Sequence, residues 1–212
     1  MTDSPRVVVR GEAVAEVPPD TADLVVTVEV RDRRRDRAVA RLAERQQELS
    51  ALLDRHRDVL GTVSTDAVSV FPESDGTRVT GSIATTTTRV PLTDVTAAGE
   101  LAVAVAGLAD TALSGPHWRL SRDHPAHQQV RTDAVADAVT RARAYAGALG
   151  CRLTGLLEVR DAGTRGGGPG PVAFALARST PALDLQPAPQ EVRGAVEVTF
   201  TMSEPDQEVY QR

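Results

Sequence analysis

The sequence contains no lysine, and all 24 of its basic residues are arginines. This absence excludes each mechanism that needs a lysine amine, namely a Schiff base, the lysine of a Walker A phosphate loop and a Ser–Lys dyad. The 29 acidic residues outnumber the arginines, and the formal net charge is −5. The chain therefore has no general electrostatic attraction for nucleic acid or for an anionic membrane surface.

Aromatic residues and cysteine are also scarce. Aromatics make up 3% of the chain against 41% for all hydrophobic residues, so the core must be built from alanine, valine and leucine. Few rings are left to stack on bases, which argues against single-stranded nucleic-acid binding. The single cysteine, Cys151, excludes an intramolecular disulfide and a zinc cage made of cysteines. It follows a helix end, where we expect a small buried residue.

Long hydrophobic runs are missing as well. No stretch approaches the roughly 18 consecutive apolar residues that a membrane-spanning helix needs. The opening residues, MTDSPRVVVRGEAV, lack the basic-then-apolar pattern of a signal peptide. These two observations predict a cytoplasmic protein without a membrane span.

Hydrophobic periodicity predicts an α+β protein, with mostly antiparallel sheet(s) packed by two or three long helices. Strands are predicted at residues 6–15, 24–30, 66–71, 77–90, 118–121, 154–160 and 192–202, and helices at 31–60, 92–108 and 124–150. From the second strand onward the order is that of a ferredoxin-like (split βαβ) unit, extended by an added helix and strands. The first two strands flank Val17–Pro18–Pro19–Asp20 and are predicted to pair antiparallel, and residues 72–76 are predicted to form a turn.

The helix at 124–150 is unusual because most of its apolar stripe is alanine. Such a stripe has little side-chain bulk, so we expect the helix to lie close against a sheet, backbone near backbone. The stripe comprises Val130, Ala134, Val135, Ala138, Val139, Ala142, Tyr145, Ala146 and Leu149. Asp123 is the expected N-cap, and Asp137 with Arg141 has the spacing of an exposed ion pair.

The domain prediction is a single domain over residues 5–203, followed by a polar tail at 204–212. Within it, residues 162–190 form a flexible insertion rich in glycine, proline and alanine. The insertion carries an apolar island, Val172–Leu176, which a partner subunit could bury.

Three blocks of sequence resemble one known family. V-x-G-x-A-x-x-x-V-P-P-D-x-A at residues 9–22 resembles the opening signature of the SIMPL domain (DUF541) family. The alanine-rich helix, from Asp133 to Ala146, resembles its second block, and Val196-x-Val198-x-Phe200 resembles its closing strand. The blocks occur in order and cover roughly residues 7–202.

The resemblance implies an assembly role rather than a reaction. Bacterial members of the family include periplasmic antigens that look like oligomeric assembly proteins, and the animal member is a kinase-associated signalling adaptor. The family has no established catalytic residues, so none is carried over. Two departures are evident: this chain lacks the signal peptide of exported relatives, and Pro189-Gln190-Glu191 replaces the usual Pro-Gly-Glu.

Only a few residues could carry chemistry. His117, His124 and His127, with Asp123, could supply metal ligands, but exposed loop and helix-start histidines are the favoured interpretation. The segment GTRGGGPGP at 163–171 lacks the Gly-Lys-Ser/Thr of a phosphate loop. The cluster RDRRRDR at 31–37 contains two aspartates and is interpreted as a solvated helix start rather than a phosphate site.

The sequence therefore predicts no catalytic, cofactor-binding or metal-binding residue, and no cofactor. The favoured function is a non-enzymatic oligomeric scaffold or assembly protein, with a homo-oligomer as the expected state and a further protein partner possible. One alternative is a module that binds a partner or small ligand near the long loop. A second is an unrecognised hydrolase or metalloenzyme around the histidines.

Overall fold

The computed structural model of the protein describes residues 4–163, 165–166, 183 and 185–206. Helices and strands are mixed and all strand pairs are antiparallel, which confirms the α+β prediction. The chain divides into two compact units. The first unit is built from the described parts of Met1–Val17, Arg122–Gly170 and Pro189–Arg212, and the second from those of Pro18–Ser121 and Pro171–Ala188.

The second unit is ferredoxin-like, as predicted. Its elements, in chain order, are β2 (Thr21–Asp32), α1 (Arg35–Arg55), β3 (Ser64–Asp75), β4 (Arg78–Leu92), α2 (Ala98–Ala106) and β5 (Thr111–Arg119). The strands form one sheet in the order β3-β4-β2-β5. This is the strand order that two interleaved βαβ halves produce.

The core of the ferredoxin-like unit follows from alternation along β2. Every second side chain of that strand is fully buried, and these side chains pack with leucines and valines of α1, α2 and β4. The best-buried members are Leu24, Val26, Val28, Val30, Leu49, Val90, Leu92, Leu101 and Val105. Leu185, from beyond the long loop, packs against the same core.

The first unit contains one helix and one sheet. Its elements are β1 (Arg6–Val17), α3 (Pro125–Ala148), β6 (Leu153–Asp161), β7 (Arg165–Gly166) and β8 (Gln190–Met202). The sheet order is β1-β8-β6, and the short β7 also pairs with β8. β8 is the central strand of this sheet, and it is also the last strand in the described part of the chain.

The predicted pairing of the first two strands is wrong. β1 pairs with β8, whereas β2 pairs with β4 on one side and β5 on the other. Both edges of β2 are occupied because it is a central strand of the ferredoxin-like sheet. The two prolines at 18 and 19 cannot donate an N–H to a strand ladder, and they lie between the end of β1 and the start of β2.

Three local predictions also need correction. The turn predicted at 72–76 is shorter, because β3 continues to Asp75 and the chain reverses at Gly76, whose φ is +61°. The N-cap of α3 is His124 rather than Asp123. Of the predicted α3 stripe, Val135 and Tyr145 are 44% and 58% exposed.

None of the helices in the described ranges combines the length and the hydropathy needed to cross a membrane.

Candidate interaction surface

α3 lies directly on the backbone of β1 and β8. A Cβ atom added at Gly11 of β1 would fall 2.0 Å from the carbonyl oxygen of Ala134, and one added at Gly194 of β8 would fall 2.7 Å from that of Val130. The residues of α3 that face the sheet are fully or almost fully buried: Ala126, Val130, Ala134, Ala138, Ala142 and Ala146. The prediction of a close, backbone-near-backbone contact is confirmed.

Asp137 joins the same helix to the outer edge of β1. Its Oδ2 accepts the backbone N–H of Glu12 at 2.9 Å and the Nε–H of Arg141 at 2.8 Å. The Glu12 N–H, and secondly the Arg141 guanidinium, hold the pKa of the Asp137 carboxyl below its usual range. The predicted Asp137–Arg141 pair is present, but the carboxylate also occupies a backbone donor on the free edge of β1.

The β6 edge of this sheet is more exposed than the β1 edge, because α3 lies over β1 and β8 and does not cover β6. Apart from the half-buried Leu153, every residue of β6 is exposed. Leu156 and Val159 are the register partners of Phe200 and Val198, whose side chains are buried against α3. They therefore lie on the helix side of the sheet, yet they are 59% and 53% exposed.

β6 is also an edge strand. Among the described strands it pairs only with β8, and its register shifts between Leu156 and Glu158, so Leu157 is the extra residue of a bulge. Leu157 is 50% exposed. The sequence predicts β6 as an ordinary strand at residues 154–160 and does not predict this surface. The signal was the pair of adjacent leucines, which a strand with one wet face does not accommodate.

An open groove of about 500 Å³ runs between the flank of α3 and β6. Most of its lining is apolar, from Val139, Ala146, Leu153, Leu156 and Phe200. Arg143 and Arg152 also line it, and among the described residues neither guanidinium has an ion-pair partner. We call this feature the α3–β6 groove.

The predicted histidines lie in different elements of the described structure. His117 belongs to β5 of the ferredoxin-like unit, where its Nε2 lies 3.4 Å from Ser114 Oγ. His124 belongs to the other unit, where its Nδ1 caps α3 by accepting the N–H of Ala126 at 3.2 Å. Over the described ranges, no three His, Cys, Asp or Glu side chains are grouped to hold a metal.

A carboxylate lies beside the Ser114–His117 pair in the strand register. Asp23 is the register neighbour of His117, but its carboxylate pairs with Arg119 at 2.9 Å. In the described part of the chain, no hydrogen bond joins Asp23 to His117.

The arginine cluster at 31–37 is partly neutralised. Arg31 pairs with Glu29 and Glu73, and Arg34 pairs with Asp36. Both guanidinium pKa values are raised by these carboxylates, which agrees with a solvated helix start. The apolar island at 172–176, and the glycine-rich segment beyond Gly166, lie outside the described residues.

Comparison with known proteins supports one assignment. No curated protein matches the chain. A crystal structure of an unknown protein from Galdieria sulphuraria is similar at 16% identity, over 90% of this chain and 86% of that one, with a TM-score of 0.26. That score is too low for any feature to be carried over. The model of the SIMPL family, described as a protein of unknown function (DUF541), matches residues 7–200. Because this match spans almost the whole chain, the protein belongs to the SIMPL family.

Proposed function

We propose that the protein is a non-enzymatic scaffold or assembly protein that works as a homo-oligomer. The observation that carries this proposal is the edge strand β6, which no described helix or further strand covers and on which Leu156, Leu157 and Val159 are each at least half exposed. An apolar edge strand offers unpaired backbone groups and apolar surface together, which favours association with another chain. The other edge of the same sheet has a backbone donor occupied by Asp137.

The test is the mass of the protein in solution. Multi-angle light scattering on the intact chain, over a range of concentrations, is expected to give a multiple of the 22.5 kDa chain mass. A mass of 22.5 kDa at every concentration contradicts the proposal.

The long loop is proposed to contribute to assembly through the apolar island at 172–176. A suitable variant replaces residues 168–182 with a Gly/Ser linker of equal length. This variant keeps Leu183, whose carbonyl oxygen lies against Gly99, and Leu185, which packs in the core. A smaller oligomer is expected, and an unchanged mass would remove the loop from the assembly while leaving oligomerisation intact.

A second candidate function, binding of an anionic amphiphile, has support from the α3–β6 groove. Its apolar lining suits a hydrocarbon chain, and the unpaired Arg143 and Arg152 suit a carboxylate. Calorimetric titration with decanoate tests it. Binding that is lost on Arg143→Gln and Arg152→Gln, but kept on Arg131→Gln elsewhere on α3, would support this function.

The proposal includes the absence of catalysis and a cytoplasmic location, and each has its own measurement. Hydrolysis of a p-nitrophenyl ester that disappears on Ser114→Ala or His117→Ala would contradict the absence of catalysis. Cell fractionation that finds the protein outside the cytoplasm would contradict the second.

A further inference from the structure

We infer that two copies of this chain pair through β6, in an antiparallel two-fold arrangement with Val159 on the axis. This inference rests on the proposed homo-oligomer and names the surface and the register that would form it. It depends on which backbone groups of β6 are unused, on where the charges of the strand fall, and on what the pairing would bury.

At Val159 and Asp161, the backbone N–H and C=O groups of β6 point away from β8. Ala162 donates its N–H to the carbonyl of Ala195 on β8 at 3.2 Å. In an antiparallel ladder, the bonded residues alternate along the strand, so Arg160 and Glu158 also turn their N–H and C=O groups toward β8. Val159 and Asp161 then direct theirs to the free edge. The same alternation correctly turns Glu12 of β1 outward, toward Asp137.

Charge selects the register. A two-fold axis through a residue places that residue opposite its own copy. With the axis at Glu158 two glutamates would oppose each other, at Arg160 two arginines, and at Asp161 two aspartates; like charges directly opposite destabilise a sheet. With the axis at Val159, each Glu158 faces Arg160 of the second copy, so two opposite-charge pairs form.

Backbone geometry favours the same register. Val159 points outward, so the two copies of this residue exchange both of their N–H···O bonds across the axis. Glu158 and Arg160 then form the non-hydrogen-bonded pairs, in which side chains lie closest. In the single chain, Arg160 Nε lies 2.7 Å from Glu158 Oε1 and Arg160 Nη1 lies 3.6 Å from Glu197. Both partners of the closer contact are largely exposed, so the guanidinium can be redirected at little cost.

The pairing also covers apolar surface. Val159 lies on the helix side of the sheet and is 53% exposed, and across the axis it meets its own copy. Leu157, at the bulge, falls opposite Asp161 of the second copy and becomes covered by its strand. The two sheets join into one, and the free edge of β6 disappears.

Charge reversal tests this register. Glu158→Arg alone leaves two arginines facing two arginines, and Arg160→Glu alone leaves glutamates facing glutamates. Each variant is expected to self-associate at least ten-fold more weakly than the parent, measured by analytical ultracentrifugation. Mixing the two variants in equal amounts restores association, because their strands are then fully complementary, and the double variant Glu158→Arg/Arg160→Glu restores it within one chain.

Glu191→Arg is the matched control. Glu191 forms the same kind of i,i+2 pair, with Arg193, on β8 of the same sheet, away from the free edge of β6. It is expected to leave association unchanged, and thermal melts confirm that each variant is folded.

The outcomes separate the inference from the proposed function. A monomeric parent chain overturns both. A parent oligomer that neither single variant weakens keeps the oligomer and overturns pairing through β6. Weakening without recovery in the mixture, or equal weakening by Glu191→Arg, overturns the Val159 register.

Discussion

Gly11 sets how closely α3 approaches the sheet, since a Cβ there would meet the backbone of Ala134 and Ala138. Gly11→Ala is expected to lower the free energy of unfolding by about 3 kcal/mol, at the upper end for overpacking, because the obstructing atoms are backbone. Chemical denaturation measures the loss. Gly147→Ala on α3 is the control, because its added Cβ meets nothing within 4 Å. It is expected to gain about 0.5–1 kcal/mol from helix propensity. Equal stability of Gly11→Ala and the parent would contradict the contact.

Asp137 is the residue whose charge matters most to the edge of β1. Asp137→Asn weakens the acceptor of the Glu12 N–H, and a loss of about 1 kcal/mol is expected at neutral pH. The pKa in the folded protein lies below the ordinary 3.8, so the contribution is present above about pH 4 and disappears as the pH falls through the lowered value. Urea denaturation from pH 7 to pH 2 measures this difference. Asp133→Asn is the control, because the Asp133 side chain accepts a hydrogen bond from Gln129 on the same helix. A gap between parent and Asp137→Asn that does not narrow as the pH falls below 4 would refute the assignment.

At the scale of the element, α3 packs closely on its sheet because the side chains that face the sheet are mostly alanines. Ala138→Leu and Ala142→Leu are each expected to destabilise by about 1–3 kcal/mol, because both positions are fully buried against β1 and β8. Ala144→Leu makes the same change at an exposed position of the helix and is expected to be nearly neutral. Thermal denaturation of the three variants decides. If all three melt like the parent, the alanine face does not pack on the sheet.

The elements themselves were largely predictable, because their signals are local. The alanine stripe gave the close packing of α3, and the alternation of Leu24 to Val30 gave a half-buried strand. The choice of strand partners depends on residues far apart in the sequence. β1 pairs with β8, which begins more than 170 residues after β1 ends, and no sequence pattern near Val17 indicates this pairing.

The candidate surface was harder still to predict. One helix is narrower than a sheet built from β1, β8 and β6, so one strand stays uncovered. Which strand that would be depended on the order β1-β8-β6 and on the glycines that fix α3 over β1 and β8. A helix lying over β8 and β6 would have covered Leu156 and Val159 and would have fitted the apolar pattern equally well.

At the scale of the whole molecule, the chain is expected to fold without a metal ion. Adding zinc, or adding a chelator, is expected to leave the melting temperature unchanged, because no three His, Cys, Asp or Glu side chains of the described residues are grouped to hold a metal and His124 Nδ1 is used as a helix cap. Differential scanning calorimetry checks this. A chelator-sensitive melt that is abolished by His124→Ala would instead assign the histidines to a metal site.

The place of β8 in its sheet imposes an order of events during synthesis. The ferredoxin-like strands and helices are contiguous from residue 21 to 119, so all of them are made well before β8. β1 is made before all of them, yet its partner β8 begins only at Gln190, and β6 waits for the same strand. The unit that is started first is therefore completed last. During that interval β1 has no strand partner, and a ribosome stalled before residue 190 would leave β1 unpaired although all the ferredoxin-like strands have already been made.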